Sequence, residues 1–207
     1  ATVIINTDGT VGIVTLVPSN TPTFGAPVVF ESAQSDVYSA TFDSSNNKVV
    51  IAYRDAGNSN YGTAIVGTVS GTSISFGSAV VFESDNTNSI SAVFDSSNNK
   101  VVIAYEDDAD SDYGKAVVGT VSGTSISFGS AVTFEAANTN SISAVFDSSN
   151  NKVVIAYEDD ADSDYGKAVV GTVSGTSISF GSAVTFEAAN TNSISAVFDS
   201  SNNKVVI

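Results

Sequence analysis

Apolar and polar residues alternate along this chain in short runs, and the runs return on a fixed beat. Between Ser89 and Asp95, Ile90, Ala92 and Phe94 point one way while Ser91, Val93 and Asp95 point the other. This is the period-two pattern of a strand, here strand a. Ser96-Ser97-Asn98-Asn99 reads as a turn, because Asn and Ser bond their own backbone and tolerate tight conformations. Strand b, Lys100–Glu106, carries Val101-Val102-Ile103-Ala104-Tyr105, and an acidic loop over 107–113 leads into strand c, Gly114–Val121. Ser122-Gly123-Thr124 turns the chain again, and strand d covers Ser125–Glu135 with a bend near Gly129.

This four-strand unit repeats. Residues 99–155 recur letter for letter as 151–207, and Lys48, Lys100, Lys152 and Lys204 stand 52 residues apart. The repeat copies are 1–36 (partial), 37–88, 89–140, 141–192 and 193–207 (partial), making one repeat domain. Strands b and c are apolar or small on both faces, whereas a sheet with one wet face alternates apolar with polar. They are therefore expected to be covered on both sides. A unit of this length that cannot bury itself alone is stabilised by leaning on its siblings. The expected fold is all-β: a β-propeller-like array of about four 52-residue, four-stranded antiparallel repeats.

The ends follow the same spacing. Thr10–Val17 aligns with strand c and Phe24–Glu31 with strand d, while Ser193–Asp199 and Lys204–Ile207 align with strands a and b. These partial sets predict one composite sheet closing a ring. Thr2–Asn6, followed by the turn Thr7-Asp8-Gly9, reads as a competing strand b that would leave Lys204–Ile207 to pair elsewhere. The chain is expected to be a piece of a longer repeat protein.

Composition narrows the chemistry. Hydrophobic residues make up 42% and charged residues 14%, with Val, Ile, Thr, Ser and Phe prominent, which suits a pleated surface. A formal net charge of −15 argues against nucleic acid and anionic lipid as partners. No apolar run approaches the roughly 20 residues needed to span a bilayer as a helix. With no His and no Cys, a Ser-His-Asp or Cys-His arrangement cannot be built, and the carboxylates recur in repeated loops rather than in one pocket. No enzymatic activity is expected.

Two sets of residues are candidates for binding. Asp108, Asp110 and Asp112, with their copies Asp160, Asp162 and Asp164, place carboxylates at alternate positions of a tight loop. That spacing suits a hard cation such as Ca²⁺, which takes six to eight oxygens. The earlier loop, Arg54-Asp55-Ala56-Gly57-Asn58-Ser59-Asn60, has lost most of these acids, and Thr63 there becomes Lys115 and Lys167 in the acidic copies. Tyr53, Tyr105 and Tyr157 end strand b while Tyr61, Tyr113 and Tyr165 precede strand c. Aromatic pairs flanking a polar loop can stack on sugar rings.

The run Ser141–Tyr157, with its Asp147-Ser148-Ser149-Asn150-Asn151 turn between apolar strands, resembles the inner strands of sialidase-like propeller blades. Phe128-Gly129-Ser130-Ala131 is similar to integrin-type FG-GAP blades, which also carry an acidic calcium loop. The sialidase Asp-box and catalytic arginines are missing, so no activity carries over. Near-identical tandem blades also resemble repeats of phage tail fibres and secreted bacterial adhesins. The resemblance implies a non-enzymatic structural or adhesive protein, located extracellularly or on a cell or virion surface, that presents multivalent loops to glycans or associates with itself. A tandem-repeat lectin and a calcium-stabilised segment of a filament are the alternative expectations.

Overall fold

The computed structural model describes residues 25–207, together with the backbone of two N-terminal strands, β1 (Thr2–Ile5) and β2 (Val11–Val14). Three antiparallel sheets follow in chain order. The first contains β3 (Ser35–Asp43), β4 (Lys48–Asp55), β5 (Tyr61–Ser70), β6 (Ser73–Phe76) and the first half of β7 (Val80–Asp95). The second takes the rest of β7 with β8 (Lys100–Asp107), β9 (Tyr113–Ser122), β10 (Ser125–Phe128) and the first half of β11 (Val132–Asp147). The third takes the rest of β11 with β12 (Lys152–Asp159), β13 (Tyr165–Ser174), β14 (Ser177–Phe180) and β15 (Val184–Asn190). A last hairpin pairs β16 (Val197–Asp199) with β17 (Lys204–Val206).

The a–b turn is set by one carboxylate. Asp95 Oδ1 accepts from the backbone N–H groups of Ser97 and Asn98 at 2.9 and 3.0 Å, and its Oδ2 accepts from Asn98 Nδ2 at 2.8 Å. Asn99 then takes a positive φ of 54°, a conformation Asn tolerates better than most residues. The same turn recurs at Asp43, Asp147 and Asp199.

Strand d differs from its expected form. It breaks at Gly129 into β10 and the start of β11, both lying on the same edge of β9. It then runs without a turn into strand a of the next repeat, so that β7 and β11 each have 16 residues and belong to two sheets. Pairing passes from one neighbour to the other between Asn86 and Thr87 and between Asn138 and Thr139, and a bulge follows at Ser89 and Ser141, with φ of 46° and 50°.

In the second sheet strand b is covered on both faces, as expected. Between the first and second sheets, Val50, Ala52, Ala64 and Val66 pack against Ile90, Phe94, Val101, Ile103, Tyr105 and Val117. Between the second and third, the other faces of the same strands (Val102, Ala104, Ala116 and Val118) meet Ile142, Phe146, Val153, Ile155, Tyr157 and Val169. Each sheet is thus a layer with apolar residues on both sides, and none is an independent core. The layers are also pinned by hydrogen bonds. Ser39, Ser91 and Ser143 accept through Oγ from the N–H of Ala92, Ala144 and Ala196, each at 2.9 Å. Gly77 and Gly129 allow a close approach, since a Cβ there would lie 1.8 or 1.9 Å from the carbonyl oxygens of Thr124 and Thr176 in the next layer.

At the N-terminus, β1 pairs with β2 in an antiparallel hairpin, Thr2 opposite Val14 and Ile5 opposite Val11. Among the described strands, β1 and β2 pair only with each other and β17 pairs with β16 alone. The expected strand d over 24–31 is absent from Gly25 to Glu31, where Pro27 has no N–H to give a ladder. The ends expected at Thr10, 15–17 and 24, and the turn 7–9, lie outside the described residues.

Candidate metal centre

The b–c loop is shaped by its first carboxylate. Asp107 ends β8, and its Oδ1 accepts from the N–H of Ala109 at 3.2 Å, capping the one-turn 3₁₀ helix Asp108–Asp110. Ser111 and Asp112 follow with φ of 60° each. The carbonyl oxygen of Asp112 accepts from the Thr139 N–H at 3.0 Å, fixing the loop tip to β11. The third sheet repeats this with Asp159, Asp160–Asp162, Ser163 and Asp164.

Strand alternation then sorts the acids. Asp107 points to one side, where its Oδ2 takes Lys115 Nζ at 2.7 Å. Glu106 and Asp108 point to the other side, and the loop returns Asp112 to them. Carboxylate oxygens of Glu106, Asp108 and Asp112 lie within 4.8 Å of one another, as do those of Glu158, Asp160 and Asp164. Glu106 and Glu158 are buried while the aspartates are half-buried.

This corrects the expected ligand set. Asp110 and Asp162 face the lysines instead, with Lys115 Nζ 2.7 Å from Asp110 and Lys167 Nζ 2.9 Å from Asp162. The reason is the 3₁₀ turn, which rotates the middle aspartate away from its neighbours at i−2 and i+2. Glu106 and Glu158 were missed because they read as the last residues of an apolar strand. The available signal was the parity of strand b, which sets each on the side opposite Asp107 or Asp159.

The electrostatics of the cluster are unfavourable to full ionisation. Burial, reinforced by Asp108 and Asp112, pushes the Glu106 carboxyl up to about 7 against the hydrogen bond from Ser89. Glu158 is raised in the same way, chiefly by burial. Asp112 is raised by burial and by Asp108. Asparagines lean on the aspartates: Asn88 Nδ2 donates to Asp108 at 2.6 Å and Asn140 Nδ2 to Asp160 at 3.1 Å. Asn86 also donates to Asp108, while its own Oδ1 is buried without a hydrogen-bond partner.

The first sheet carries a different solution at the same place. Arg54 stands where Glu106 and Glu158 stand later, and Asp36 stands where Asn88 and Asn140 do. Arg54 grips Asp36 with two bonds of 2.6 and 2.8 Å and donates a third to Asn88. A guanidinium thus supplies positive charge beside the loop of the first sheet, which lacks the carboxylate trio.

The tyrosines divide into two groups. Tyr53, Tyr105 and Tyr157 are fully buried. Phe82 and Phe134 lie tilted against Tyr105 and Tyr157 at centroid distances of 5.2 Å, and the two hydroxyls donate to Glu83 and Glu135 at 2.8 Å. Tyr53 reaches Glu31 at 3.4 Å. These three offer no ring face to a sugar and are corrected to packing residues, because both faces of strand b lie between layers. Tyr61, Tyr113 and Tyr165 are half-buried beside the loops.

Comparison with protein-family models, with curated proteins and with solved structures gives no match. The fold shown is all-β with antiparallel sheets, and the described strands close no ring.

Proposed function

We propose that this chain is a non-enzymatic structural repeat protein of the extracellular space or of a cell or virion surface, in which acidic loops take a divalent cation, calcium by preference. The observation that carries this reading is the recurrence of one three-carboxylate cluster, in the same loop of successive layers. Oxygen ligands alone, with no His or Cys in the chain, suit a hard cation and not zinc. Glu106, Asp108 and Asp112 would hold one ion, and Glu158, Asp160 and Asp164 a second. A bound ion would cancel the repulsion within each trio and tie strand b to its loop.

Equivalent loops on consecutive layers also support multivalent display, in which weak contacts to a repetitive surface polymer add up. Propeller-like stacking of four-stranded sheets is the arrangement in which such loops share one side. The glycan-stacking reading keeps only Tyr61, Tyr113 and Tyr165 and is the weaker of the two.

Calorimetric titration of the metal-free protein with Ca²⁺ tests the proposal. Two sites per chain are expected, together with a rise in melting temperature that EDTA reverses. Heat-silent titration with an unchanged melting temperature at millimolar Ca²⁺ would refute the cation reading.

A further inference from the structure

The carboxylate that opens the b–c loop is served differently in the first sheet. Asp107 and Asp159 use both oxygens. Oδ1 accepts from the N–H of Ala109 or Ala161 at 3.2 and 3.1 Å, and Oδ2 from Nζ of Lys115 or Lys167 at 2.7 and 2.6 Å. Asp55 stands 52 residues before Asp107 and is also buried, only 9% exposed. Its Oδ1 is buried without a hydrogen-bond partner, and its side chain gives no cap to the short helix Ala56–Asn58. Among the described residues Asp55 enters no ion pair.

Three replacements account for the difference. Gly57 stands where the other loops have Ala109 and Ala161, and its N–H turns to the Gln34 carbonyl at 3.1 Å. The Ala33 methyl lies 2.4 Å from where a Gly57 Cβ would be, and that Cβ would be 3.3 Å from Asp55 Oδ1, so apolar carbon covers this oxygen. Thr63 stands in place of the lysine, its hydroxyl donating to the Tyr61 carbonyl at 3.3 Å. Asn58 stands in place of Asp110 and Asp162, the second carboxylates on Lys115 and Lys167. Arg54 cannot substitute, because strand alternation sends it to the opposite face, onto Asp36 and Asn88.

We propose that Asp55 binds a monovalent cation of ammonium size, a potassium or ammonium ion, at the position that Lys115 and Lys167 give to Nζ in the sister sheets. A buried carboxylate without a counterion is strongly disfavoured, and the sister sheets show which counterion the fold accepts there: a single ammonium group. Charge selects the ion. One carboxylate remains, with neutral oxygen atoms of Asn58 and Thr63 beside it in sequence register. One negative charge matches one positive charge, whereas Ca²⁺ gathers several carboxylates. The site is independent of the Glu106 and Glu158 clusters, so neither reading stands or falls with the other.

The test is thermal melting of the 207-residue chain in EDTA, in potassium, ammonium or tetramethylammonium chloride at one ionic strength. Potassium and ammonium are expected to raise the melting temperature by about 3 °C over tetramethylammonium, which is too bulky for the site. Thr63→Lys, which places an ammonium group on the same chain, is expected to melt at or above the parent and to lose the difference between salts. Asp55→Asn is expected to lose it as well. Crystals soaked in rubidium chloride give a readout that no variant's folding can obscure, with an anomalous peak expected beside Asp55 in the parent. Equal melting in the three salts, a difference that survives in Thr63→Lys, or a map without the rubidium peak would each overturn the proposal.

Discussion

Tyr105 donates its hydroxyl hydrogen to Glu83 at 2.8 Å, across the seam between two sheets. The tyrosine belongs to strand b of the second layer and the glutamate to the shared strand β7 where it runs in the first. Burial and the carboxylate together hold the phenol protonated far above its ordinary range. The bond is therefore a donor–acceptor contact at any pH the fold survives.

Tyr105→Phe is expected to destabilise the protein by about 1–2 kcal/mol, the cost of a buried hydrogen bond to a charged acceptor. Tyr105→Ala is expected to cost about 3–5 kcal/mol, because it also empties the space against Phe82. Urea denaturation at pH 7 measures both; equal losses for the two variants would contradict the assignment of separate packing and hydrogen-bond contributions.

Cation affinity separates the two aspartates that lie two residues apart in the loop. Asp108→Asn together with Asp160→Asn is expected to remove the calcium-dependent rise in melting temperature. Asp110→Asn together with Asp162→Asn is expected to preserve it, since those carboxylates are bound to Lys115 and Lys167. Thermal melts with and without Ca²⁺ compare the pairs directly, and a reversed pattern would place the ion on the lysine side.

Without metal, stability should fall as pH rises from 5 to 8. Glu106 has a folded value near 7 against an ordinary 4.5, so in this window the folded state binds more protons than the unfolded one. Its contribution is fully present below 4.5 and is lost as pH passes through 7, on the order of 3 kcal/mol at most. Asp147 and Asp199, held below the ordinary aspartate value by their Asn150 and Asn202 contacts, lose their contribution only in stronger acid. Glu106→Gln is expected to flatten the slope between pH 5 and 8 in EDTA; an unchanged slope would assign it to other groups.

Asp55 is buried and its Oδ1 has no hydrogen-bond partner. The equivalent Asp107 and Asp159 accept at Oδ1 from the N–H of Ala109 and Ala161 and at Oδ2 from Lys115 and Lys167, whose position is held by Thr63 in the first sheet. Thr63→Lys is expected to give the Asp55 carboxylate an ammonium donor and stabilise the protein by about 1 kcal/mol. Differential scanning calorimetry reads the change, and a lowered melting temperature would show that the first loop has no room for the ammonium.

Much of the fold was legible because strand parity and a 52-residue beat are direct records of packing. The two-sided burial of Val101-Val102-Ile103-Ala104-Tyr105 is an example: an unbroken apolar run can only be satisfied between two layers. The fusion of strand d with the next strand a was not legible. A change of pairing partner between Asn86 and Thr87, or between Asn138 and Thr139, is a backbone event with no distinctive residue. The metal cluster was half legible. Asp108 and Asp112 follow from loop spacing, but a 3₁₀ turn decides that Asp110 leaves and Glu106 joins. The buried Tyr105 was misread for the opposite reason, since its hydroxyl suggested an edge while Glu83 was waiting inside the seam.

Because β7 and β11 pass from layer to layer while remaining hydrogen-bonded along almost their whole length, the repeats have no tether between them. A protease meets paired strand where a beads-on-a-string protein would offer a loose hinge, so single repeats cannot be clipped out and released. Tension applied along the chain is likewise handed from one sheet to its neighbour through shared backbone.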